Sequence, residues 1–181
     1  ATNACVENKG SRARLLMIGV DRDLSESLSD TYASYGFQEQ DQLIKIDGRP
    51  EKIFEDAKDP DWEELRKMIP ELFSDCDSIG IVQTFPQANG GKFEKRAKKI
   101  FQETMQVPVT TAHDMFDEVD VLKRGAGTLL NARLIPLIAE FLAAVKNVMK
   151  ERNLQIPIAI VRSDGSLMSE VLTKECPVET L

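Results

Sequence analysis

Four residues near the end of the chain, Ser163 to Ser166, have side chains that could take part in chemistry. They read Ser-Asp-Gly-Ser and follow the apolar run from Ile156 to Val161, which is typical of a buried strand. If that strand lies in a parallel sheet, Asp164 is placed where such sheets bind ligands and could orient a water molecule, a metal ion or a hydroxyl group. Ser-Asp-Gly is equally favoured as a plain turn, with Ser166 capping a following helix.

A second candidate, Lys123 to Thr128, reads Lys-Arg-Gly-Ala-Gly-Thr and precedes a helical apolar pattern. Two glycines and a basic pair before a helix N-terminus could hold a phosphate group on free backbone N–H groups. The segment lacks the spacing and the terminal lysine of a P-loop. The alternative interpretation is a flexible lead into a long helix, with Thr128 as its N-cap.

His113 is the single histidine, which excludes any site that needs two. It could act as a base beside Asp114, but no G-x-S-x-G nucleophile elbow occurs, so a self-contained α/β hydrolase is a weak hypothesis. The three cysteines, Cys5, Cys76 and Cys176, have no metal-ligand spacing, and their odd number argues against a disulfide framework. Reduced thiols indicate a cytoplasmic protein.

The composition narrows the classes of partner. The chain has 181 residues and a formal net charge of -7, which argues against nucleic acid or an anionic membrane as a partner. We find neither a signal peptide nor a run long enough to span a bilayer.

The basic run between Lys92 and Lys99 is interpreted as a solvated helix face. Because the chain begins with Ala1 and its last apolar segment has nothing after it to pack against, we expect a piece of a longer protein.

Strands and helices alternate along the sequence, which indicates an α/β fold with a largely parallel sheet and flanking helices. Pro136 is expected to kink or break the long helix in which it lies. The predicted strands are Arg14 to Gly19, Leu43 to Ile46, Ser78 to Phe85, Val107 to Thr111 and Ile156 to Val161. The predicted helices are Ala1 to Asn8, Asp23 to Tyr35, one that starts at Asp61, Lys92 to Thr104 and Thr128 to Asn153.

Three segments resemble motifs of the hydantoinase A/5-oxoprolinase family. The first, ATNACVENKGSRARLLMIG, resembles A-T-N-A-L-L-E-R-K-G-A-R followed by a strand. The second, LKRGAGTLLNARLIPLIAEFL, resembles the helix E-R-x-x-T-x-x-L-N-A-x-L-x-P. The third, IPIAIVRSDGSLMS with CPVETL, resembles a strand, an S-D-G-G-L-M-S turn and a P-V-x-T-L lead-in. The three motifs stand in the family's order and cover nearly the whole chain.

The resemblance implies an actin-like (ribonuclease H-like) ATPase fold and an enzyme that uses ATP and Mg²⁺ to open cyclic amides such as hydantoin, N-methylhydantoin or 5-oxoproline. It also implies a hydantoinase B-type partner subunit. The family's D-x-G-G-T-x-T-D phosphate loop and its S-G-P-A segment are absent from this chain. The chain is therefore identified as an internal fragment, with residues 1–115 ending an N-terminal α/β region and residues 116–181 starting the central hydantoinase domain. By itself it is expected to bind no cofactor.

The site residues implied by the resemblance are matched one by one. The catalytic candidate is Asp164, and no metal ligand is assigned. The cofactor-binding candidates are Thr2, Asn3, Arg124, Thr128, Asn131, Ser163 and Gly165. The chain departs from the family pattern at Ser166, at Lys123 and after the first strand, where the family's T-x-G-F-x-D is missing. These departures leave two alternatives open: a non-catalytic binding or regulatory domain, and an acetone or acetophenone carboxylase-type subunit.

Overall fold

The computed structural model describes residues 10–20, 26, 28–37 and 43–181. Its centre is a four-stranded parallel sheet in the order β2-β1-β3-β4. The strands are β1 (Ala13–Ile18), β2 (Leu43–Ile46), β3 (Ser78–Gln83) and β4 (Val109–Thr111). The central strand β1 places Leu15 opposite Leu43 of β2 and Gly80 of β3. The predicted α/β class with a largely parallel sheet is confirmed.

Five α-helices accompany the strands in the part of the chain that the structure describes. They are α1 (Trp62–Leu72), α2 (Pro86–Asn89), α3 (Lys92–Thr104), α4 (Val121–Glu151) and α5 (Glu170–Glu175). The carboxylate of Asp61 accepts a hydrogen bond from Glu64 N and caps α1, as predicted. A 3-10 helix (Ser29–Tyr35) ends at the left-handed Gly36, again as predicted. The predicted start of that helix, at Asp23, lies outside the described residues, as does the predicted helix from Ala1 to Asn8.

Each face of the sheet has its own hydrophobic core, because successive side chains of a strand point to opposite faces. Leu16 and Ile18 of β1 pack with Leu65 of α1 and Phe101 of α3 on one face. The other face holds a second cluster beneath α4 and the Ser29–Tyr35 helix. Its buried members include Leu15, Met17, Val82, Tyr32, Phe37, Leu122, Leu129 and Ala132. Burying one such side chain contributes roughly 1.5–3 kcal/mol, so the apolar pattern of β1 stabilises both layers.

Helix α4 begins at Val121 rather than at Thr128. Asp120 is its N-cap, and Asp120 Oδ1 accepts hydrogen bonds from Leu122 N at 2.8 Å and Lys123 N at 3.1 Å. The interpretation of residues 123–128 as a phosphate-binding loop is therefore wrong, because their backbone N–H groups belong to a helix. The helix also continues past Pro136 without a break.

Helix α4 is long and apolar enough to cross a membrane by length and composition, which corrects the expectation that no segment of the chain reaches that length. The core helix of a soluble protein can have the same length and the same apolar composition. Its buried residues include Arg124, Thr128 and Asn131, polar side chains that lie against the sheet and its neighbours. The first part of α4, from Leu122 to Leu134, packs on the sheet, whereas Leu142 is the one buried residue of its remaining described length.

The last predicted strand is shorter than expected and does not join the parallel sheet. Strand β5 (Ala159–Val161) pairs in antiparallel fashion with β6 (Leu167–Ser169), and the two form a separate two-stranded sheet. Ser163 to Ser166 thus form the turn of a hairpin instead of a strand-to-helix connection. Helix α5 begins only after β6, and Ser169 Oγ caps it by accepting a hydrogen bond from Leu172 N.

Candidate functional site

The carboxyl ends of β1 to β4 form the edge of the sheet at which α/β proteins bind ligands. Strand β3 ends there at Gln83, and β4 is followed by a short 3-10 helix that contains His113. Phe85, just after β3, has a φ of 49° and a ψ of 53°. This left-handed conformation is uncommon for a residue with a side chain, and such strain clusters at functional sites. The edge around β3 is therefore the first candidate for a site.

A buried ion pair lies behind this edge. The side chains of Glu94 on α3 and Arg124 on α4 have no exposed surface, and Arg124 Nη1 lies 3.6 Å from Glu94 Oε1. Glu94 accepts backbone hydrogen bonds from Gln83 N at 2.9 Å and from His113 N at 2.7 Å. Arg124 Nη2 donates to Gln83 O at 2.5 Å. The pair joins two helices to the ends of β3 and β4.

Burial controls the electrostatics of this pair. It raises the pKa of the Glu94 carboxyl, while the backbone N–H groups of His113 and Gln83 and the charge of Arg124 act in the opposite direction. Burial also lowers the pKa of the Arg124 guanidinium, and the charge of Glu94 acts in the opposite direction. Arg124 Nε and Nη1 have no hydrogen-bond partner among the described residues. The site thus holds a buried cation with donors still available to a water molecule or an anion.

Gln83 caps the N-terminus of α3 from outside the helix. Its Oε1 accepts hydrogen bonds from Phe93 N at 3.1 Å and Glu94 N at 3.2 Å. Its Nε2 donates to Asn89 Oδ1 at 2.9 Å, and the same oxygen accepts from Lys92 N at 3.2 Å. Three N–H groups of the first turn of α3, where a phosphate group most often binds, are therefore already bonded to side chains.

Thr128 and Asn131 share the buried face of α4 with Arg124 but have different partners. Thr128 Oγ1 donates to Arg124 O at 2.7 Å, within the helix. Asn131 Nδ2 donates to Glu175 O at 2.9 Å, and Asn131 Oδ1 accepts from Val178 N at 3.0 Å. Asn131 therefore holds the segment after α5 against α4. The structure brings these three predicted residues into one row, in which Arg124 alone contacts the end of β3.

The second group of predicted site residues lies in the β5–β6 turn. Asp164 Oδ1 accepts hydrogen bonds from Ser166 N at 2.9 Å and Ser166 Oγ at 2.7 Å, and these bonds lower the pKa of its carboxyl. Gly165 has a φ of 82°, which fits a tight turn. This turn is exposed and does not follow a strand of the parallel sheet, so the predicted location of Asp164 is corrected. Its predicted catalytic role and the cofactor role of Ser163 stay predictions.

The remaining candidates are placed or left open. The carboxylate of Asp114 accepts a hydrogen bond from Thr111 Oγ1 at 2.5 Å and pairs with Lys98 at 3.5 Å. The role of His113 as a base beside Asp114 stays a prediction. The ring of His113 packs against Gly91, where an added Cβ would lie 2.4 Å from it. Thr2 and Asn3 lie outside the described residues.

Glu94 and Gln83 are the residues that reasoning from the sequence missed. The buried residues of α3 are Phe93, Glu94, Ala97, Ile100 and Phe101. A carboxylate within this apolar stripe needs a buried partner, and that signal was present in the sequence. The basic residues on the same helix drew attention to its solvated face instead.

Comparisons with known proteins support the fold. No family model matches the chain, and no curated protein matches it. The crystal structure of ATP-dependent caprolactamase from Pseudomonas jessenii matches 99% of this chain with a TM-score of 0.75 and 20% identity. The nucleotide-free structure of acetone carboxylase, an enzyme of ATP-dependent acetone carboxylation, matches 98% of it with a TM-score of 0.71 and 17% identity.

The chain spans 28% of the length of each of these two proteins. Both belong to the hydantoinase/oxoprolinase family. The fold expected from the sequence motifs is therefore confirmed: the chain shares the α/β architecture of these two structures, with a mostly parallel sheet and flanking helices.

Proposed function

We propose that this chain is an internal fragment of an ATP-dependent enzyme of the hydantoinase A/5-oxoprolinase family that opens cyclic amides. The observation that carries the proposal is the fold that nearly the whole chain shares with an ATP-dependent caprolactamase. The name caprolactamase denotes an enzyme that hydrolyses a cyclic amide. The three ordered sequence motifs support it independently. An amide is a poor electrophile, so coupling its hydrolysis to ATP has a clear chemical reason.

The nucleotide site of this enzyme is proposed to lie largely outside the described residues. They contain no group of three or more histidine, cysteine, aspartate or glutamate side chains that could hold a metal ion. The first turns of α3 and α4 are capped by Gln83 and by Asp120, so their N–H groups are not free for phosphate. We therefore assign ATP and Mg²⁺ to the longer enzyme, and we expect the isolated chain to bind no Mg-ATP.

Within that enzyme, the Glu94–Arg124 pair is proposed to position the ends of β3 and β4 rather than to contact the substrate. Arg124, Thr128, Ser163, Gly165 and Asp164 remain proposed site positions. Asn131 is proposed as a clasp for the end of α5 and the segment after it, because its amide is bonded to Glu175 O and to Val178 N. We also propose residues 1–115 and 116–181 as parts of two successive regions, a hydantoinase B-type partner subunit, and a cytoplasmic location without a nucleic-acid or membrane partner.

The experiment is an amide-dependent ATPase assay on the full-length protein that contains this chain. Mg-ATP is supplied with hydantoin, N-methylhydantoin, 5-oxoproline or caprolactam, and release of inorganic phosphate is measured together with ring opening. We expect one of these amides to stimulate phosphate release in proportion to its own hydrolysis. Stimulation by acetone and bicarbonate alone would assign the carboxylase-type alternative. No stimulation by any of them, with the protein folded, would assign a non-catalytic binding or regulatory domain.

A further inference from the structure

Exposed apolar side chains are concentrated in the last part of the chain. In its described part the structure leaves eleven large apolar side chains exposed, and eight of them lie between residues 141 and 172. They are Phe141 and Val148 on α4, Leu154 and Ile156 after it, Val161 and Leu167 on the two short strands, and Val171 and Leu172 on α5. Singly exposed apolar residues are ordinary in soluble proteins, so the argument depends on the β5–β6 hairpin, where two of them lie opposite each other.

The β5–β6 hairpin is incomplete as a sheet. Within the described chain its two strands pair only with each other, over three residues each. Met168 is buried on one face, but Val161 and Leu167 are 60% and 69% exposed on the other. A two-stranded sheet by itself is at best marginally stable in water, and a third strand or a covering layer normally stabilises it. The hairpin therefore lacks a neighbour.

The hydrogen bonds of the hairpin identify the backbone groups of β5 that β6 does not use. Arg162 N donates to Ser166 O at 2.8 Å, so these two residues form a hydrogen-bonded pair beside the turn. In an antiparallel ladder, such pairs alternate with pairs that form no hydrogen bonds. Ile160 therefore points its N–H and C=O groups at β6, whereas those of Ala159 and Val161 point to the open side. No strand among the described residues lies on that side.

The edge of β5 is more available than the edge of β6. At the end of β6, Ser169 O accepts a hydrogen bond from Thr173 Oγ1 at 2.8 Å and Ser169 Oγ accepts one from Leu172 N at 3.3 Å, so α5 already uses these groups. On the β5 side, residues 155–158 form no backbone–backbone hydrogen bond with any other described residue. The strand-like sequence from Ile156 to Val161 thus extends beyond the part of β5 that is paired.

We propose that the open edge of β5, formed by the backbone groups of Ala159 and Val161, binds a further β-strand that lies outside residues 1–181 of the same longer polypeptide. A strand that adds to an exposed edge bonds to its free N–H and C=O groups, and its alternate side chains provide specificity. The added strand carries apolar side chains on the face of Val161 and Leu167, because neighbouring side chains on one face of a sheet pack together.

The length of the matching structures favours the same polypeptide over a second copy of it. The chain covers only 28% of each of the two solved proteins that share its fold, so the larger part of each of those polypeptides lies outside the match. A segment of the same polypeptide reaches an effective concentration on the order of millimolar when its connection is short, which exceeds that of a separate copy. The inference rests on the proposal that this chain is part of a longer enzyme, but not on the reaction of that enzyme.

Hydrogen exchange of the full-length protein, resolved to single amides by mass spectrometry, tests whether the edge is paired. We expect the amides of Ala159 and Val161 to exchange about a hundredfold or more slowly than free amides. Ile160 is the internal control, because its N–H is bonded to β6 and reports on the hairpin itself. Fast exchange at Ala159 and Val161 would overturn the proposal, whether or not Ile160 is protected. No substrate or nucleotide is present, so the pairing and the proposed activity can fail separately.

Photo-crosslinking identifies what occupies the edge. Val161 is replaced with p-benzoylphenylalanine in the full-length protein, and isotopically heavy and light copies are mixed before irradiation. The expected product joins position 161 to a segment outside residues 1–181 of the same copy. Heavy–light products would assign a second copy, and products confined to residues 1–181 would assign packing within the chain, so either result would overturn the proposal. The same replacement at Lys67, exposed on α1, is the control, and an equal yield of that product from both positions would also overturn it.

A proline variant separates the added strand from the hairpin. Ala159→Pro removes the N–H group that faces the open side and leaves the bonds between β5 and β6 in place, because that group does not point at β6. Exchange at Val161 in the full-length protein should rise about fivefold or more, the effect of one lost hydrogen bond. Ala159→Ser keeps the N–H group at the same exposed position and should leave this exchange unchanged. Equal exchange at Val161 in the two variants would contradict the proposed pairing.

Discussion

Removing the cation of the buried pair tests the central interpretation of the site. Arg124→Met keeps a long apolar stem and a good helix former but deletes the charge. Glu94 then stays buried without its countercharge, although its two backbone hydrogen bonds from Gln83 N and His113 N remain. Breaking a buried ion pair by removing one partner is destabilising by about 3–5 kcal/mol, and the surviving hydrogen bonds place this variant near the lower end of that range.

The sign of the pH dependence follows from the pKa of Glu94, which burial raises above the usual range of a glutamate. Between the unfolded and the folded pKa the native state binds more protons than the unfolded state, so stability decreases as the pH rises through that window. Arg124 opposes this shift, and its removal pushes the folded pKa of Glu94 further up. The deficit of Arg124→Met relative to the unmodified chain should therefore be largest at about pH 8 and shrink towards about pH 5.

Urea unfolding followed by the fluorescence of the single tryptophan measures this deficit at both pH values. Trp62 is a local probe, since its ring lies 6.1 Å from that of Phe93, the residue before Glu94. Lys123→Met is the matched control: it removes a cation from the neighbouring position of α4, where the side chain is exposed and paired with Glu118, and it should leave the unfolding midpoint unchanged. In proteins that also carry Glu94→Gln, the stability deficit caused by Arg124→Met should be the same at both pH values. A deficit below about 1 kcal/mol, or one that is equal at both pH values, would refute the interpretation of a charged buried pair.

Three further outcomes are expected. Asn131→Ala should destabilise the chain by about 1–3 kcal/mol and open residues 175–181 to limited proteolysis, because Glu175 O and Val178 N lose their partner; unchanged cleavage would remove the clasp role. Gly91→Ala should lower the melting temperature more than Gly90→Ala, since both glycines have a positive φ but a methyl group at Gly91 would also meet the His113 ring. Equal melting temperatures would contradict that packing. Asp164→Ala in the full-length enzyme should lower turnover at least about tenfold with an unchanged melting temperature, whereas normal kinetics would make Asp164 a turn former.

The parallel sheet and the flanking helices α1 and α3 could be predicted from the sequence because their signals are local. The apolar residues of β1 and β3 are buried on both faces, which gives continuous apolar runs. Asp61 caps α1 through its own carboxylate, and Gly36 ends a helix because glycine readily adopts the left-handed conformation. Such features depend on neighbours within a few residues, so composition and spacing are enough to identify them.

The start of α4 was misread because packing overrides intrinsic propensity there. Gly125 and Gly127 are poor helix formers, and two of them beside a basic pair favour a loop. In the structure, a Cβ at Gly125 would lie 3.1 Å from Leu15, and one at Gly127 would lie 2.6 Å from Phe116. The glycines let α4 lie close to the sheet and to its neighbouring segment. That reason involves residues distant in sequence, so no local pattern contains it.

Sequence alone determined that this chain is α/β, where most of its elements lie, and which family it resembles. Tertiary structure decided the rest, because pairing and burial are properties of distant residues brought together. It placed β5 in a hairpin, which moved Asp164 away from the sheet edge. It also brought Glu94 and Arg124 into contact, and a charge can remain buried only where the fold supplies a partner from another element.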